Sequence, residues 1–366
     1  MRVEKIALNG FRNYEWETAE FAPGTNVICG PNAQGKTNLL EAVYLLSSGR
    51  SFRTRFDREL VGFGYSEGEI LAEVFSRDRQ QTVNLRFRPG QTKRITVNGV
   101  KKTAAELSDT VNTVLFCPDD LNLIKEGAAV RRRLLDNAIS QIRPRYGEIL
   151  SEFNRLYEHK TRILKDWREK PSLLDTLDEF SDGMARASAN LIRYRAAYAA
   201  RLNQAAPQIH REFSGENEEL AIVYQTVSTV KDPYASAREI YYDICEHQER
   251  HRQAELESGQ CLTGAHKDDL EICINGRSAR SFASQGQTRT AALSLKLAER
   301  DILQAETGEA PILLLDDVLS ELDQKRQEFV LNRIGGGQTL ISCCEDAEIS
   351  KRTGGRVLFV EKGKIR

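Results

Sequence analysis

Two stretches of this sequence carry residue types suited to phosphate chemistry. Residues 30–37 read GPNAQGKT, a full match to G-x-x-x-x-G-K-[ST]. Gly30 and Gly35 let the backbone wrap an anion, with amide N–H groups and a helix start turned toward the charge. Pro31, Asn32, Ala33 and Gln34 make up the loop, and Asn38 opens the helix behind it. Lys36 is spaced to reach β- and γ-phosphates, and Thr37 to place its hydroxyl on Mg²⁺. The second stretch, Leu313 to Asp317, reads LLLDD, an apolar strand ending in carboxylates. Asp316 is the expected partner of Thr37 in a magnesium shell. Asp317 stands where a base polarises an attacking water, although a second acidic residue at a strand end also occurs without that role. ATP and Mg²⁺ are the cofactors this pattern implies, with Lys36, Asp316 and Asp317 as catalytic groups.

These groups need elements to position them. Asn26 to Cys29 reads as a buried strand feeding the loop, and Leu39, Leu40, Val43, Tyr44 and Leu46 recur at helical spacing after it. Short alternating segments over 69–97 predict an antiparallel ribbon, with Asn98-Gly99 at a tight hairpin turn. The middle of the chain changes period. Ile149, Phe153, Leu156, Ile163 and Trp167 form one apolar series. Leu173, Leu177, Phe180, Met184, Ala187, Leu191, Tyr194 and Tyr198 form another in alternating steps of four and three. With Pro171 between them, an antiparallel helical hairpin is expected, its longer arm reaching about 40–50 Å at 1.5 Å per residue before Pro207 ends it. Such a hairpin either packs on itself or offers a coil to a partner. A strand over Leu220 to Thr226, short strands around 261–274 and a helix over about 286–305 complete the pattern.

The two halves of the phosphate motif stand near opposite ends of the chain, so the ribbon and hairpin between them are insertions. The expected fold class is α/β: a P-loop head assembled from both chain ends, residues 1–130 and 260–366, with a mainly helical lobe at 131–259 inserted. In 366 residues, 52 Lys and Arg balance 53 Asp and Glu, so any nucleic-acid contact must come from local patches. Seven Cys without C-x-x-C spacing argue against a disulfide framework and a zinc ribbon. No apolar run suits a membrane span and no signal core opens the chain, so a cytoplasmic location is expected.

Further motifs point to a family. Ser284-Gln285-Gly286-Gln287 opens a helix just ahead of LLLDD. It fits an ordinary capping box, and it resembles the ABC signature, which in that family binds the γ-phosphate of ATP held by the opposite subunit. Ser284, Gly286 and Gln287 would be the contacts, and Ser320-Glu321-Leu322-Asp323 resembles the D-loop. LNGFRNY at 8–14, NLLEAVYLLSSGRSFRT at 38–54, FCPDDLNLIKEGAAVRRRLLDNAISQ at 116–141 and TGAHKDDLEICING at 263–276 resemble the RecF family of SMC-like ABC ATPases. That resemblance implies an ABC-type ATPase head, an ATP-dependent homodimer, binding of DNA at single-strand/double-strand junctions, and action with RecO and RecR in loading RecA. It also implies weak, DNA-dependent ATPase activity in repair, replication and the SOS response.

The sequence departs from the wider ABC pattern in four places. Ala283 replaces the usual Leu, and Asp317 replaces the usual Glu. Ser342-Cys343-Cys344-Glu345 stands where a switch His is usual, and Arg50 lies near the Q-loop position. Slow hydrolysis is the expectation. Candidate phosphate contacts on DNA are Arg50, Arg53, Arg55 and Arg58, then Arg131, Arg132 and Arg133 with Arg143 and Arg145, each equally readable as a solvated surface arginine. His266, Lys267, Asp268 and Asp269 form a cluster of unassigned role. His247 and His251 read as an exposed helix face. A transporter ATPase would carry LSGGQ, a switch His and a short helical insert. An SMC tether would need coils of hundreds of residues, and an ATPase of the overcoming-lysogenization type would add an acidic nuclease domain.

Overall fold

The computed structural model describes residues 1–344 and 352–366, and its contacts divide them into two compact units. One comprises Met1–Asn122 with Ala292–Arg366, and the other Leu123–Ala291. Residues 260–291 therefore group with the inserted unit rather than with the head. The reason is pairing: Asp269–Ile274 hydrogen-bonds antiparallel to Leu220–Gln225, the strand that follows the long helix.

The first unit contains two six-stranded sheets. One is antiparallel, in the order Tyr14–Glu20, Arg2–Phe11, Gly68–Ser76, Arg79–Phe87, Arg94–Val97 and Val100–Lys102. Along Gly68–Ser76 buried and more exposed residues alternate, the period of a sheet with one face in a core. Asn98 and Gly99 both have positive φ, as a two-residue hairpin turn requires. The other sheet runs in the order Lys364–Ile365, Arg356–Glu361, Thr25–Cys29, Thr339–Cys343, Ile312–Asp316 and Thr113–Phe116. It is parallel apart from the terminal hairpin. Its strands Ile312–Asp316 and Thr339–Cys343 are buried at every position, which explains the unbroken apolar run Ile312–Leu315.

Helix Lys36–Ser48 buries Leu39, Leu40, Ala42, Val43, Leu45 and Leu46 completely, and these join both sheets in one core. From Leu39 to Leu46 the helix is apolar apart from Glu41, so this stretch belongs in the interior. Gly49 ends it in the left-handed region. The register pairs Cys29 with Cys343 and Asp316 with Ser342. The carboxyl ends of three adjacent strands thus meet at one edge, where open α/β sheets bind ligands.

The second unit packs helices Ala128–Ile142, Pro144–Asp166, Leu177–Ser214 and Ala237–Ser258 with a three-stranded sheet. Phe153, Leu156 and Ile163 on one arm and Met184, Leu191 and Tyr198 on the other are buried, as the apolar series predicts. Pro207 does not end the longer arm, which continues to Ser214. A proline removes one N–H, and buried Ala206, Ile209 and Phe213 around it sustain the packing that keeps the helix going. At 38 residues this helix is about 57 Å long.

The cluster at 266–269 is the staple of this unit. Asp268 is fully buried and accepts from Arg195 Nη1 at 2.7 Å, Tyr224 Oη at 2.6 Å and Thr226 Oγ1 at 2.7 Å. Arg195 also bonds Asp136 and the Ala265 carbonyl, so one guanidinium ties three elements together. His266 is packed against Tyr157 and Phe153, and burial pushes its pKa down to about 4. His247 is buried rather than exposed. It faces Thr263 Oγ1 at 3.0 Å and stacks on His251.

Candidate nucleotide site

The loop Gly30–Lys36 joins strand Thr25–Cys29 to its helix in a conformation few sequences permit. Gly30, Ala33 and Gly35 have φ of 143°, 61° and 123°. A Cβ at Gly30 would lie 2.1 Å from the Val360 carbonyl oxygen, and one at Gly35 would lie 2.8 Å from Asn13 Nδ2. Both the dihedrals and the crowding require glycine there. Lys36 is buried and its Nζ donates to Gly30 O at 2.8 Å and Pro31 O at 3.0 Å, holding the loop closed around its own ammonium.

A turn outside the phosphate motif, at residues 12–14, clamps this loop. Tyr14 donates its hydroxyl to Gly35 O at 2.8 Å, and Asn13 donates Nδ2 to Gln34 O at 2.8 Å. Asn38 Nδ2 returns to Asn13 Oδ1 at 2.7 Å, while the Lys362 and Gly363 amides reach Gln34. Arg12 forms a bidentate pair with the fully buried carboxylate of Glu41, at 2.8 and 2.7 Å. Ser51 donates to the same carboxylate. The signal available in sequence was a Glu on an otherwise apolar helix, which must find a cation when buried.

Thr37 Oγ1 donates to Asp316 Oδ1 at 2.9 Å, joining the two motifs. Ser342 Oγ donates to the same oxygen at 2.9 Å and accepts from the Asp317 amide at 2.8 Å. Burial raises the Asp316 carboxyl above its ordinary range, opposed by the two hydroxyls and the Arg53 charge. Asp317 has φ of 49°, a left-handed conformation that Asp tolerates better than most residues. Cys344 sits where a switch residue is expected, its Sγ bonded to Asn32 Oδ1 at 2.9 Å and 3.9 Å from Lys36 Nζ. Glu345 lies outside the described residues.

The side chains fit Mg²⁺ and a nucleotide. Hydroxyl and carboxylate oxygens are the hard donors that Mg²⁺ takes. Among the described residues no group of three His, Cys, Asp or Glu could hold a metal; a metal at Thr37 and Asp316 would take further ligands from phosphate and water.

Ser284, Gly286 and Gln287 lie in the other unit. Ser284 N donates to Gln287 Oε1 at 2.8 Å and Gln287 N to Ser284 Oγ at 3.2 Å, a reciprocal capping box. Capping and anion binding are compatible here, because Ser284 is exposed at the start of helix Gln285–Thr307.

The candidate DNA contacts divide. Arg50, Arg53, Arg55 and Arg58 are exposed, and Arg53 also donates to Asn38 Oδ1 at 2.6 Å. Arg133, Arg143 and Arg145 are exposed as well. Arg131 is not a surface contact: it is 2% exposed, pairs bidentately with Asp269 at 2.6 and 2.9 Å and donates to three backbone carbonyls. All three of its nitrogens donate within the fold. Arg132 is half-buried and donates to the Asp268 carbonyl at 2.6 Å.

A P-loop threonine meeting a strand-end aspartate, on a parallel sheet that shares its core with an antiparallel one, defines the head of an ABC-type ATPase. The profile of the RecF/RecN/SMC N terminal domain matches residues 2–354. The DNA replication and repair protein RecF of Acetivibrio thermocellus is 37% identical over 361 residues, 98% of each chain. That of Alkaliphilus oremlandii is 37% identical over the full length of both. The structure of the recombination mediator protein RecF with ATP, in the RecFOR pathway, superposes with a TM-score of 0.91 at 35% identity, covering 100% of this chain and 96% of that one. The Smc head of Pyrococcus furiosus shares the fold at 17% identity and a TM-score of 0.56, covering 100% and 95%. The chain belongs to the RecF family.

Proposed function

We propose that this protein is an ATP-dependent DNA-binding ATPase of recombinational repair and replication. Lys36 and the amides of Gly30–Asn38 hold the phosphates, and Thr37 with Asp316 holds the metal. Bound Mg²⁺ supplies neutralisation of the β- and γ-oxygens. Ser284, Gly286 and Gln287 of a second copy close over the same nucleotide, so that two heads associate when both sites are filled. Asp317 orients the attacking water. Its short carboxylate and the thiol of Cys344, a poor substitute for an imidazole donor, make hydrolysis slow. The observation that carries this reading is the 2.9 Å bond between Thr37 and Asp316, which joins the two halves of a nucleotide site across nearly the whole chain.

DNA binding is assigned to the exposed arginines Arg50, Arg53, Arg55 and Arg133, with contacts to phosphate rather than to bases. Likeness to RecF proteins of the RecFOR pathway supports action with RecO and RecR at gap junctions, promoting RecA loading in the cytoplasm. No described helix is long and apolar enough to cross a membrane.

Fluorescence anisotropy on a gapped duplex, with and without Mg·ATP, tests the proposal. ATP should raise wild-type affinity, and Lys36→Ala and Ser284→Arg should both lose that effect. DNA binding indifferent to ATP in all three would refute the clamp. A turnover above about 10 s⁻¹, the ordinary enzyme median, would contradict slow hydrolysis.

A further inference from the structure

The amino end of helix Gln285–Thr307 is held by charged side chains from distant parts of the same unit. Lys125 lies in the segment before helix Ala128–Ile142. Its Nζ donates to Ala279 O at 3.4 Å and Arg280 O at 3.1 Å in the one-turn helix Ala279–Phe282, and to Ala283 O just beyond it at 2.8 Å. An ammonium is well matched to carbonyls left open at a helix end. Ala283 precedes Ser284, so this contact fixes the peptide leading into the motif.

Glu218 acts from the other side. Its Oε1 accepts from Gln287 Nε2 at 2.8 Å, and its Oε2 faces His210 Nε2 at 3.0 Å. His210 is fully buried in helix Leu177–Ser214, and burial lowers its pKa below the ordinary imidazole value. The ring is therefore neutral at pH 7. A carboxylate only accepts, so Nε2 carries the proton. His210 thus pins Glu218, and Glu218 pins Gln287. The Gln287 amide has its oxygen committed to Ser284 N and its nitrogen to Glu218, which leaves it one orientation. A capping box by itself does not impose that constraint.

We propose that Lys125 and Glu218, the latter backed by His210, are positioning residues that preorganise Ser284–Gln287 for the γ-phosphate held by a second copy of the chain. Groups already immobilised lose less side-chain freedom on association. This inference rests on the ATP-bridged dimer proposed above.

The test uses the full-length protein as wild type, Glu218→Ala, Glu218→Gln, Lys125→Met, Lys125→Arg and Ser284→Arg. Hydrogen exchange is followed at the amides of Ser284, Gln287 and Thr288 without nucleotide. Dimerisation in Mg·ATP is followed by sedimentation velocity over a range of protein concentrations. Loss of a hydrogen bond to a charged group should speed exchange about tenfold in Glu218→Ala and in Lys125→Met. It should raise the concentration for half-dimerisation by about the same factor, with ATP binding to dilute protein changed less than about twofold. Glu218→Gln should recover both readouts in part, because its oxygen still accepts from Gln287 while its amide nitrogen cannot accept from His210. Lys125→Arg should recover through its retained donors.

Unchanged exchange in Glu218→Ala and Lys125→Met overturns the proposal. So does faster exchange with unaltered dimerisation, which would make the contacts structural alone. If Ser284→Arg dimerises like wild type, or wild type ignores ATP, the dimer reading has failed. The positioning role then falls with it, for a reason distinct from any behaviour of Glu218 or Lys125.

Discussion

Two Asp-Asp dipeptides in this chain look alike in sequence and have opposite fates. Asp316-Asp317 ends a buried parallel strand, and the partners of Asp316 are the neutral hydroxyls of Thr37 and Ser342. Its charge is met by hydroxyls but not cancelled by an ion pair, as the proposed magnesium role requires. Asp268-Asp269 is equally interior, yet Asp268 meets Arg195 and Asp269 meets Arg131, each through charge-assisted bonds. Those charges are neutralised inside the protein and hold helices and a strand together. Burial does not mark a functional carboxylate. The charge state of its partners does.

The largest effect should come from cutting the staple. Arg195→Met leaves Asp268 buried without its cation and should cost about 3–5 kcal/mol, read from chemical denaturation. A loss below about 1 kcal/mol would mean that Tyr224 and Thr226 suffice for Asp268, and the contrast between the dipeptides would weaken. Asp317→Asn should instead leave stability within about 0.5 kcal/mol, as expected for a substitution away from packing features. It should lower single-turnover hydrolysis by about 10²–10³-fold while ATP still binds. Unaltered hydrolysis would remove Asp317 from the chemistry.

His266, beside the staple, supplies a pH test. Its pKa is lowered from about 6.5 when unfolded to about 4 in the fold, so the unfolded state takes up the extra proton between those values. Stability is therefore fully present above pH 6.5 and falls as pH drops toward 4, by about 3 kcal/mol for the complete shift. The raised carboxyls of Asp268 and Asp316 titrate in the opposite sense. The measurement is thus the difference in denaturation midpoint between wild type and His266→Phe from pH 4.5 to 7. A parallel pair of profiles would show that His266 does not titrate as its burial demands.

The smallest effect separates neighbouring arginines. Arg133→Glu should weaken DNA binding severalfold and flatten its salt dependence by about one phosphate contact, with the fold intact. Arg131→Glu should damage stability, because it places a carboxylate against Asp269. Equal effects of the two on DNA affinity in folded protein would contradict the burial of Arg131.

Much of the nucleotide site was legible in the sequence, because its chemistry is local. Gly30, Gly35, Lys36 and Thr37 fall within one turn-and-helix spacing, and LLLDD announces a buried strand ending in charge. The Asn98-Gly99 turn and the two helical arms were legible for the same reason, since φ preference and apolar period act over a few residues. Pro207 was misread because tertiary packing of Ala206, Ile209 and Phe213 outweighs the loss of one backbone bond. The boundary at 260 was misread because strand pairing between 220–225 and 269–274 leaves no mark in either segment alone.

What the sequence by itself determined is a glycine-bounded loop around Lys36, the strand-end aspartate that its threonine meets, an apolar parallel core and a long helical insertion. Each follows from residue type at short spacing. Only the tertiary structure decided which charged residues are spent inside the fold: Arg131 on Asp269, Arg12 on Glu41, Arg195 on Asp268. An arginine triplet and an Asp-Asp pair carry no record of their partners, because ion pairing depends on what long-range folding brings within about 4 Å.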